Sequence, residues 1–464
     1  MKYLKMGMIV ARGSLLFCGL CAGLAGQWRA RAESTSTNQT WITRPLSMLD
    51  CVNTALRQNA DILKAQNDLE ASHGLIVQTR AIALPTVLAT GSFTETQAKA
   101  IDQFPGNSVP FSQPSQTWNT GIRITQSVYE GGRVGAALRA ARLTKEQALL
   151  QYQTVVADTL LAARLAYYDV LLAAQQITVN EASVQLLQKE LEDQQRRYDA
   201  GTVPRFNVLR AEVAVANQRP ALIRAKNEYR ISKNNLSNLL GYNVPHDVWE
   251  DLPLQLTDSL DAAPYQIELP AAIEQALRNR TELGALRKTE QLQKENIINA
   301  KSGYKPSVQA FAGYGWHKYS FDSDLANDRA GWSFGGQISW DIFDGMLTRG
   351  KVIQAQAQYE KARTDVDDKS RRIELEVRTA YSTFIEAREV LDSQQKVQEE
   401  ADEALRLARA RAEAGTGTQL DVLDAQTSLT QARTTQVQAL HDYDTARSRL
   451  ERAIGLDLIH PEAK

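Results

Sequence analysis

"TWNTGIRITQSVY" (117–129) and "GWSFGGQISWDIF" (331–343) decide how this chain is read. In the second, Trp332, Phe334, Ile338, Trp340 and Ile342 share one face of an extended strand, and Ser333, Gly335, Gln337, Ser339 and Asp341 take the other. In the first, Trp118, Ile122, Ile124 and Val128 alternate with Asn119, Gly121, Arg123, Thr125 and Ser127. A period of two with one apolar and one small or polar face predicts a half-buried β-strand. Strands that cross a bilayer need about 9–11 residues, apolar towards lipid and polar towards a lumen, with aromatic residues at both membrane surfaces. Residues 307–321 and 86–97 form weaker strands of the same kind, and Trp118, Trp316, Trp332 and Trp340 all lie in these four segments. A water-soluble sheet with one dry face shares the alternation.

The flanks of these strands carry a different period. None of the 13 prolines falls in 115–203 or 307–460, so long helices can run there without the ~3 kcal/mol cost of an interior proline. Leu149, Tyr152, Val156, Leu160, Ala163, Tyr167, Val170, Ala174 and Ile177 recur every three or four residues, the seam of a left-handed coiled coil. A helix over 133–200 reaches about 100 Å at ~1.5 Å per residue. A coiled-coil scaffold accounts for this segment equally well.

The pattern occurs twice. "VNTALRQN" (52–59) matches "IEQALRNR" (273–280) at an offset of 221, and Pro85 matches Pro306. Beyond a Pro- and Ser-rich loop around 101–115 the offset becomes 214, which pairs Trp118 with Trp332, Tyr167 with Tyr381 and Gly241 with Gly455. "AGTVPRFNVLRAE" (200–212) and "AGTGTQLDVLDAQ" (414–426) are the two copies of one helix-to-helix turn. Each repeat therefore reads helix, strand, strand, long helix, return helix. The first spans 33–242, with helix 46–84, strands 86–97 and 117–129, long helix 133–200 and return helix 204–240. The second spans 270–456, with helix 270–303, strands 307–321 and 331–343, long helix 348–413 and return helix 418–454. A linker, 243–269, joins them, and 457–464 is a tail.

Lys2, Lys5 and Arg12 precede the apolar stretch "SLLFCGLCAGLAG", and Ala30-Arg31-Ala32 offers a small-residue cleavage site, with Gly26 as the alternative, so 1–32 reads as a secretory signal peptide. Its removal takes away five basic and no acidic residues, leaving 48 Lys and Arg against 54 Asp and Glu, which gives no basic excess for nucleic acid. Cys18 and Cys21 leave with it, so Cys51 has no disulfide partner in the chain. The residue before each of those two cysteines is bulky, which argues against a lipid anchor. The five histidines are scattered without metal-ligand spacing, and "EGGRVG" lacks the Lys-Ser/Thr of a phosphate loop, so no enzyme, cofactor or metal site is read. Four strands cannot close a barrel, for which about eight is the minimum, and an open edge in lipid leaves backbone groups unsatisfied. The chain must associate; two, three or four copies all satisfy that arithmetic.

The whole chain after the signal peptide resembles the TolC-type outer-membrane efflux proteins. The resemblance rests on the two-fold repeat, Pro85 and Pro306, the strand-to-helix turns "SVYEGGR" and "DIFDGMLTRG", and the hairpin turns "AGTVPRFNV" and "AGTGTQLDVLDA". It implies a homotrimer in outer-membrane lipid. Its 12-stranded β-barrel would continue into a long α-helical periplasmic tunnel, with an equatorial belt around 243–269. It also implies a passive exit duct working with a periplasmic adaptor protein and an inner-membrane transporter, in drug efflux or type I secretion.

On that resemblance Asp421 and Asp424, on one face of the last helix, match the family's acidic aperture, a ring of six carboxylates in a trimer. On the residues alone, Asp421 caps its helix with Thr418 and Asp424 is solvated. A tyrosine and an arginine that close the constriction in the family's best-known member are replaced here by Ala412 and Gly417, and Phe206 and Asn207 stand where their partners would be. Arg205 or Arg210 then becomes the candidate to meet the aspartates. Pro204 fits a first helical turn, Pro220 predicts a bend, and Thr202 and Thr416 are expected as N-caps after Gly201 and Gly415. The exposed turn residues Gly201, Thr202, Pro204, Gly415, Thr416 and Gly417 are the candidate adaptor contacts. Two rivals stay open: a pore-less periplasmic coiled-coil scaffold, and an adaptor, which would need lipoyl-like and barrel domains in place of the Trp-rich strands.

Overall fold

Ser47 and Asp50 close a capping box that starts helix α1 (Met48–Gln58). Helix α2 (Ala60–Ala81) follows after one extended residue, Asn59. Strands β1 (Thr86–Glu95) and β2 (Gln116–Glu130) lead into the long α3 (Arg133–Asp199), and α4 (Arg205–Leu239) returns alongside it. The second repeat supplies α5 (Leu269–Asn279), α6 (Thr281–Lys301), β3 (Ser307–Lys318), β4 (Arg329–Ser339), α7 (Leu347–Glu413) and α8 (Gln419–Ile454). This computed structural model describes residue 42 and residues 44–95, 116–242, 251–318 and 329–456. The signal-peptide reading of 1–32, the loop around 101–115, residues 96–97 and 319–321 of two expected strands, the first part of the linker and the tail 457–464 lie outside the described residues. The chain divides into two units, Met1–Arg44 and Pro45–Lys464, and all elements named here belong to the second.

Each long helix has 67 residues, about 100 Å, and forms an antiparallel hairpin with its return helix, α3 with α4 and α7 with α8. Helix α6 packs against both long helices, and α3 also contacts α8, so the repeats are interleaved. Helix α4 continues through Pro220 as one element.

The helices expected over 46–84 and 270–303 are each broken in two, at Asn59 and at Arg280. Both residues take extended backbone, φ −62°, ψ 130° and φ −63°, ψ 115°. Neither break carries a proline or glycine; the cause is tertiary. Asn59 Nδ2 donates to Leu239 O at 2.8 Å, and Arg280 Nη1 donates to Ala453 O at 3.2 Å. Leu239 and Ala453 are 214 residues apart, so each repeat docks its broken helix against the end of its own return helix. The close approach is made possible by Gly241 and Gly455, both at positive φ; a Cβ on Gly241 would lie 2.6 Å from Gln58 O. Asn59 also accepts from the Asp61 and Ile62 amides and so caps α2.

At Arg280 the joint is ionic. The guanidinium is 4% exposed, forks onto Glu376 at 2.9 and 3.0 Å, and reaches Glu282 at 3.0 Å. Arg452 adds Glu282 at 2.6 Å and Asp158 at 2.7 Å. Burial pushes the Glu282 carboxyl up, and the Arg452 and Arg280 charges more than reverse that, to about 2. Beside the network lies the main apolar cluster of the second repeat, Leu283, Ile373, Val377, Phe384, Leu450 and Ile454 among its members.

The four strands form one antiparallel sheet in the order β1-β2-β3-β4. The expected strand 331–343 instead runs Arg329–Ser339. Ser339 pairs with Ser307, the first residue after Pro306, so β4 has no partner beyond that point. Trp340 leaves the ladder, and its indole donates to Tyr304 O at 3.2 Å.

Candidate functional site

Register turns the strand alternation into two complete faces. On one, Val87, Ile124, Ala312 and Phe334 line up across the sheet, followed by Ala89, Ile122, Tyr314 and Trp332. Phe93 and Trp118 extend this face at one end and Val308 and Ile338 at the other. Trp332 is 81% exposed and Phe334 86% in the single chain. The opposite face carries Thr86, Thr90, Ser92, Asn119, Arg123, Thr125, Gln309, Ser333 and Gln337 around several glycines. From the level of Trp118 to that of Ile338 is about ten residues of β3, or ~33 Å along a strand. At the ~40° tilt usual in barrels this gives an apolar band about 25 Å tall. Trp118, Trp316 and Trp332 gather towards the end far from the helices, where Tyr314 stacks edge-on with Trp316 and Trp332 at 4.6 and 4.9 Å. Trp340 stands at the helical end beside exposed Ile342 and Phe343. Among the described residues, both outer strands, β1 and β4, keep one backbone edge unpaired.

The hairpin tips lie at the other end of the long helices, and the two are built alike. Gly201 and Gly415 follow their helices at φ 74° and 72°. The Gly201 and Thr202 amides donate to Tyr198 O and Arg197 O at 2.8 and 2.9 Å; those of Gly415 and Thr416 donate to Ala412 O and Arg411 O at 3.2 and 2.9 Å. These are Schellman closures, which need a left-handed residue just past the helix. Thr202 and Thr416 are therefore not N-caps. Their hydroxyls donate backwards, to Arg197 O at 2.8 Å and Arg411 O at 3.2 Å. The forward N-caps are Pro204, without a side-chain bond, and Thr418.

Thr418 and Asp421 form a reciprocal capping box, at 2.9 and 3.2 Å. The Thr418 amide and then its hydroxyl hold the Asp421 carboxyl below its usual range, with a smaller contribution from Arg411. Capping leaves Asp421 exposed, and Asp424 is exposed one turn further on. The two readings of Asp421 are thus compatible. Among the described residues of one chain, neither Arg205 nor Arg210 forms an ion pair with these aspartates. Arg210 lies over the Phe206 ring, 5.9 Å from its centroid. Asn207 contributes its backbone carbonyl, which accepts from Gln419 Nε2 at 3.1 Å and ties the two tips together. Between them is a polar cavity of about 530 Å³ lined by Lys189, Glu190, Asp193, Arg409 and Glu413 among others. A Cβ on Gly417 would sit 3.1 Å from both Ala412 N and Arg411 Cβ, so a larger residue there would have to push the turn back by a few tenths of an ångström.

Arg411 and Gln419 were not singled out from sequence, whereas Phe206 was named only as standing where a partner of the lock would be. The 214-residue offset sets exposed Phe206 opposite Leu420, 40% exposed, so each tip carries one apolar residue beside its turn.

Known proteins bear on this geometry. The chain is 24% identical over 430 residues to outer membrane protein TolC of Vibrio cholerae serotype O1, covering 91% of this chain and 93% of the relative. It is 22% identical over 417 residues to the alkaline protease secretion protein AprF of Pseudomonas aeruginosa, covering 89% and 85%. Its fold matches the Campylobacter jejuni CmeC outer membrane channel with a TM-score of 0.76 at 15% identity, covering 88% and 85%. The model of the outer membrane efflux protein family matches residues 51–242 and 272–456, most of both repeats, and the chain belongs to that family.

Proposed function

We propose that three copies of this chain form a passive exit duct across the outer membrane, closing a 12-stranded barrel and joining their hairpins into a periplasmic tunnel. The observation that carries this is the four-stranded sheet: an apolar face, 81–86% exposed at Trp332 and Phe334, with both edges unpaired among the described residues. A bilayer tolerates the first and forbids the second, so β4 of one copy pairs with β1 of the next until the ring closes. Three copies give twelve strands, and the six 67-residue helices supply the tunnel wall.

Cargo enters from an inner-membrane transporter through an adaptor protein that meets the hairpin tips at Gly201, Thr202, Pro204, Gly415, Thr416 and Gly417. Efflux is the family's named activity, and the likeness to a protease secretion protein supports type I secretion as the second use of the same duct. Asp421 and Asp424 ring the periplasmic aperture and favour cations. Arg205 or Arg210 of one copy meets these carboxylates on the next, in place of a tyrosine-arginine lock.

Single-channel recording of the detergent-purified oligomer tests this. Stable, cation-preferring steps blocked by a divalent cation from the periplasmic side are expected, with block lost in Asp421→Asn plus Asp424→Asn. Steps unchanged by the double substitution would remove the aperture assignment; a folded oligomer without conductance would refute the duct.

A further inference from the structure

On the polar face of the sheet, halfway along β2, Arg123 stands directly opposite Gly313 of β3 and Leu88 of β1. Gly313 presents no side chain, so the guanidinium leans across it onto the ring of Phe311, 4.4 Å from the centroid. Phe311 lies in turn across Gly335 of β4, where an added Cβ would come within 3.0 Å of its Cζ. Gly335, Phe311 and Arg123 thus form a stack over three strands, with the aromatic ring as a platform that holds the cation in place.

Among the described residues, no carboxylate compensates the charge on this stack. Ionisable neighbours with described side chains on the same face are Glu130 and His317. Glu130 is engaged by Arg133 and by the Ser127 hydroxyl at the base of the sheet, and His317 is bonded to Asn119. Arg123 itself forms no ion pair among the described residues; its contact is the ring.

We infer that the Arg123–Phe311 stack is a charge-selective element of the barrel, favouring organic anions such as carboxylates. The inference rests on the duct reading, which turns this face towards the lumen and repeats the guanidinium three times at one height. A held guanidinium over an aromatic face offers a carboxylate a forked hydrogen-bond partner and an aromatic substituent a surface to lie on. The barrel section then has the opposite preference to the acidic aperture at the far end of the tunnel.

Because the two act in series, the test uses the full-length oligomer carrying Asp421→Asn and Asp424→Asn, with reversal potentials measured in potassium chloride and in potassium benzoate. Three fixed charges in a water-filled lumen predict an anion-over-cation permeability ratio above unity at ~0.15 M salt, where the Debye length is about 8 Å. The ratio is expected to fall to about 1 in Arg123→Gln and to persist in Arg123→Lys. Benzoate's advantage over chloride is expected to shrink in Phe311→Leu. With Arg123 intact, the selectivity should fade from ~0.01 M to ~1 M salt as the Debye length drops from about 30 to 3 Å, which gives a readout even if a variant fails to assemble. A conducting channel whose selectivity ignores Arg123→Gln, or ignores salt, overturns this inference and leaves the duct standing. A folded oligomer with no conductance overturns both.

Discussion

Replacing Arg280 with alanine removes the residue that holds the second repeat's broken helix against its return helix. Its 4%-exposed guanidinium makes four hydrogen bonds, to Glu282, to both oxygens of Glu376 and to Ala453 O. Their loss is unequal. Glu376 is 47% exposed and rehydrates, so that pair contributes at most about 1 kcal/mol. Glu282 keeps Arg452 at 2.6 Å, which limits its penalty. The Ala453 carbonyl, in a buried stretch at the end of α8, loses this donor, at about 1 kcal/mol or more. Together with the packing of the lost stem, destabilisation of about 3 kcal/mol is expected, within the range for breaking a buried ion pair. Arg280→Lys keeps the charge but not the fork, and should cost roughly half as much. Urea unfolding of the detergent-solubilised protein at fixed concentration, followed by helical circular dichroism, measures both through midpoint shifts at constant slope. A shift below about 1 kcal/mol for Arg280→Ala, or a lysine variant as damaged as the alanine one, would refute the hub reasoning.

The same assay separates two glycines with nearly equal φ. Gly241→Ala meets Gln58 O at 2.6 Å as well as a left-handed backbone and should cost ~3 kcal/mol or more, whereas Gly201→Ala at the open tip carries only the backbone cost of about 1–2 kcal/mol. Asp444 gives a pH dependence. Burial raises its carboxyl to about 7 with Asp261 nearby, only partly offset by Arg447, so the folded state binds this proton more tightly than the unfolded one. Its contribution is full below the unfolded value of about 4 and is lost as pH rises through 7; Asp444→Asn should therefore raise stability at pH 8 by ~1–3 kcal/mol and do little at pH 4.

What sequence alone determined is what depends on neighbours along the chain. Alternation at 117–127 and 331–339 assigns each strand its apolar and polar sides, because side chains flip every residue whatever the strand pairs with; pairing adds a bulge at Ser127–Tyr129 that breaks the pattern beyond. Proline-free stretches with a repeat of three and four allow the 67-residue helices, and Gly-Thr after each predicts its end. Thr418 and Asp421 are three residues apart, so their capping box is local too. The tertiary structure decided whatever depends on a partner distant in sequence. Neither "RQNAD" nor "RNRTE" carries a proline or glycine, and the one local cue is Asn59 as a cap for α2. The chain turns at Asn59 and Arg280 because Leu239 O and Ala453 O await a donor there and Gly241 and Gly455 let the backbones approach. β4 stops at Ser339 because Pro306 ends the strand beside it. Arg123 likewise reads as one polar residue among many until β3 pairs with β2, bringing Gly313 opposite it and Phe311 beneath its guanidinium.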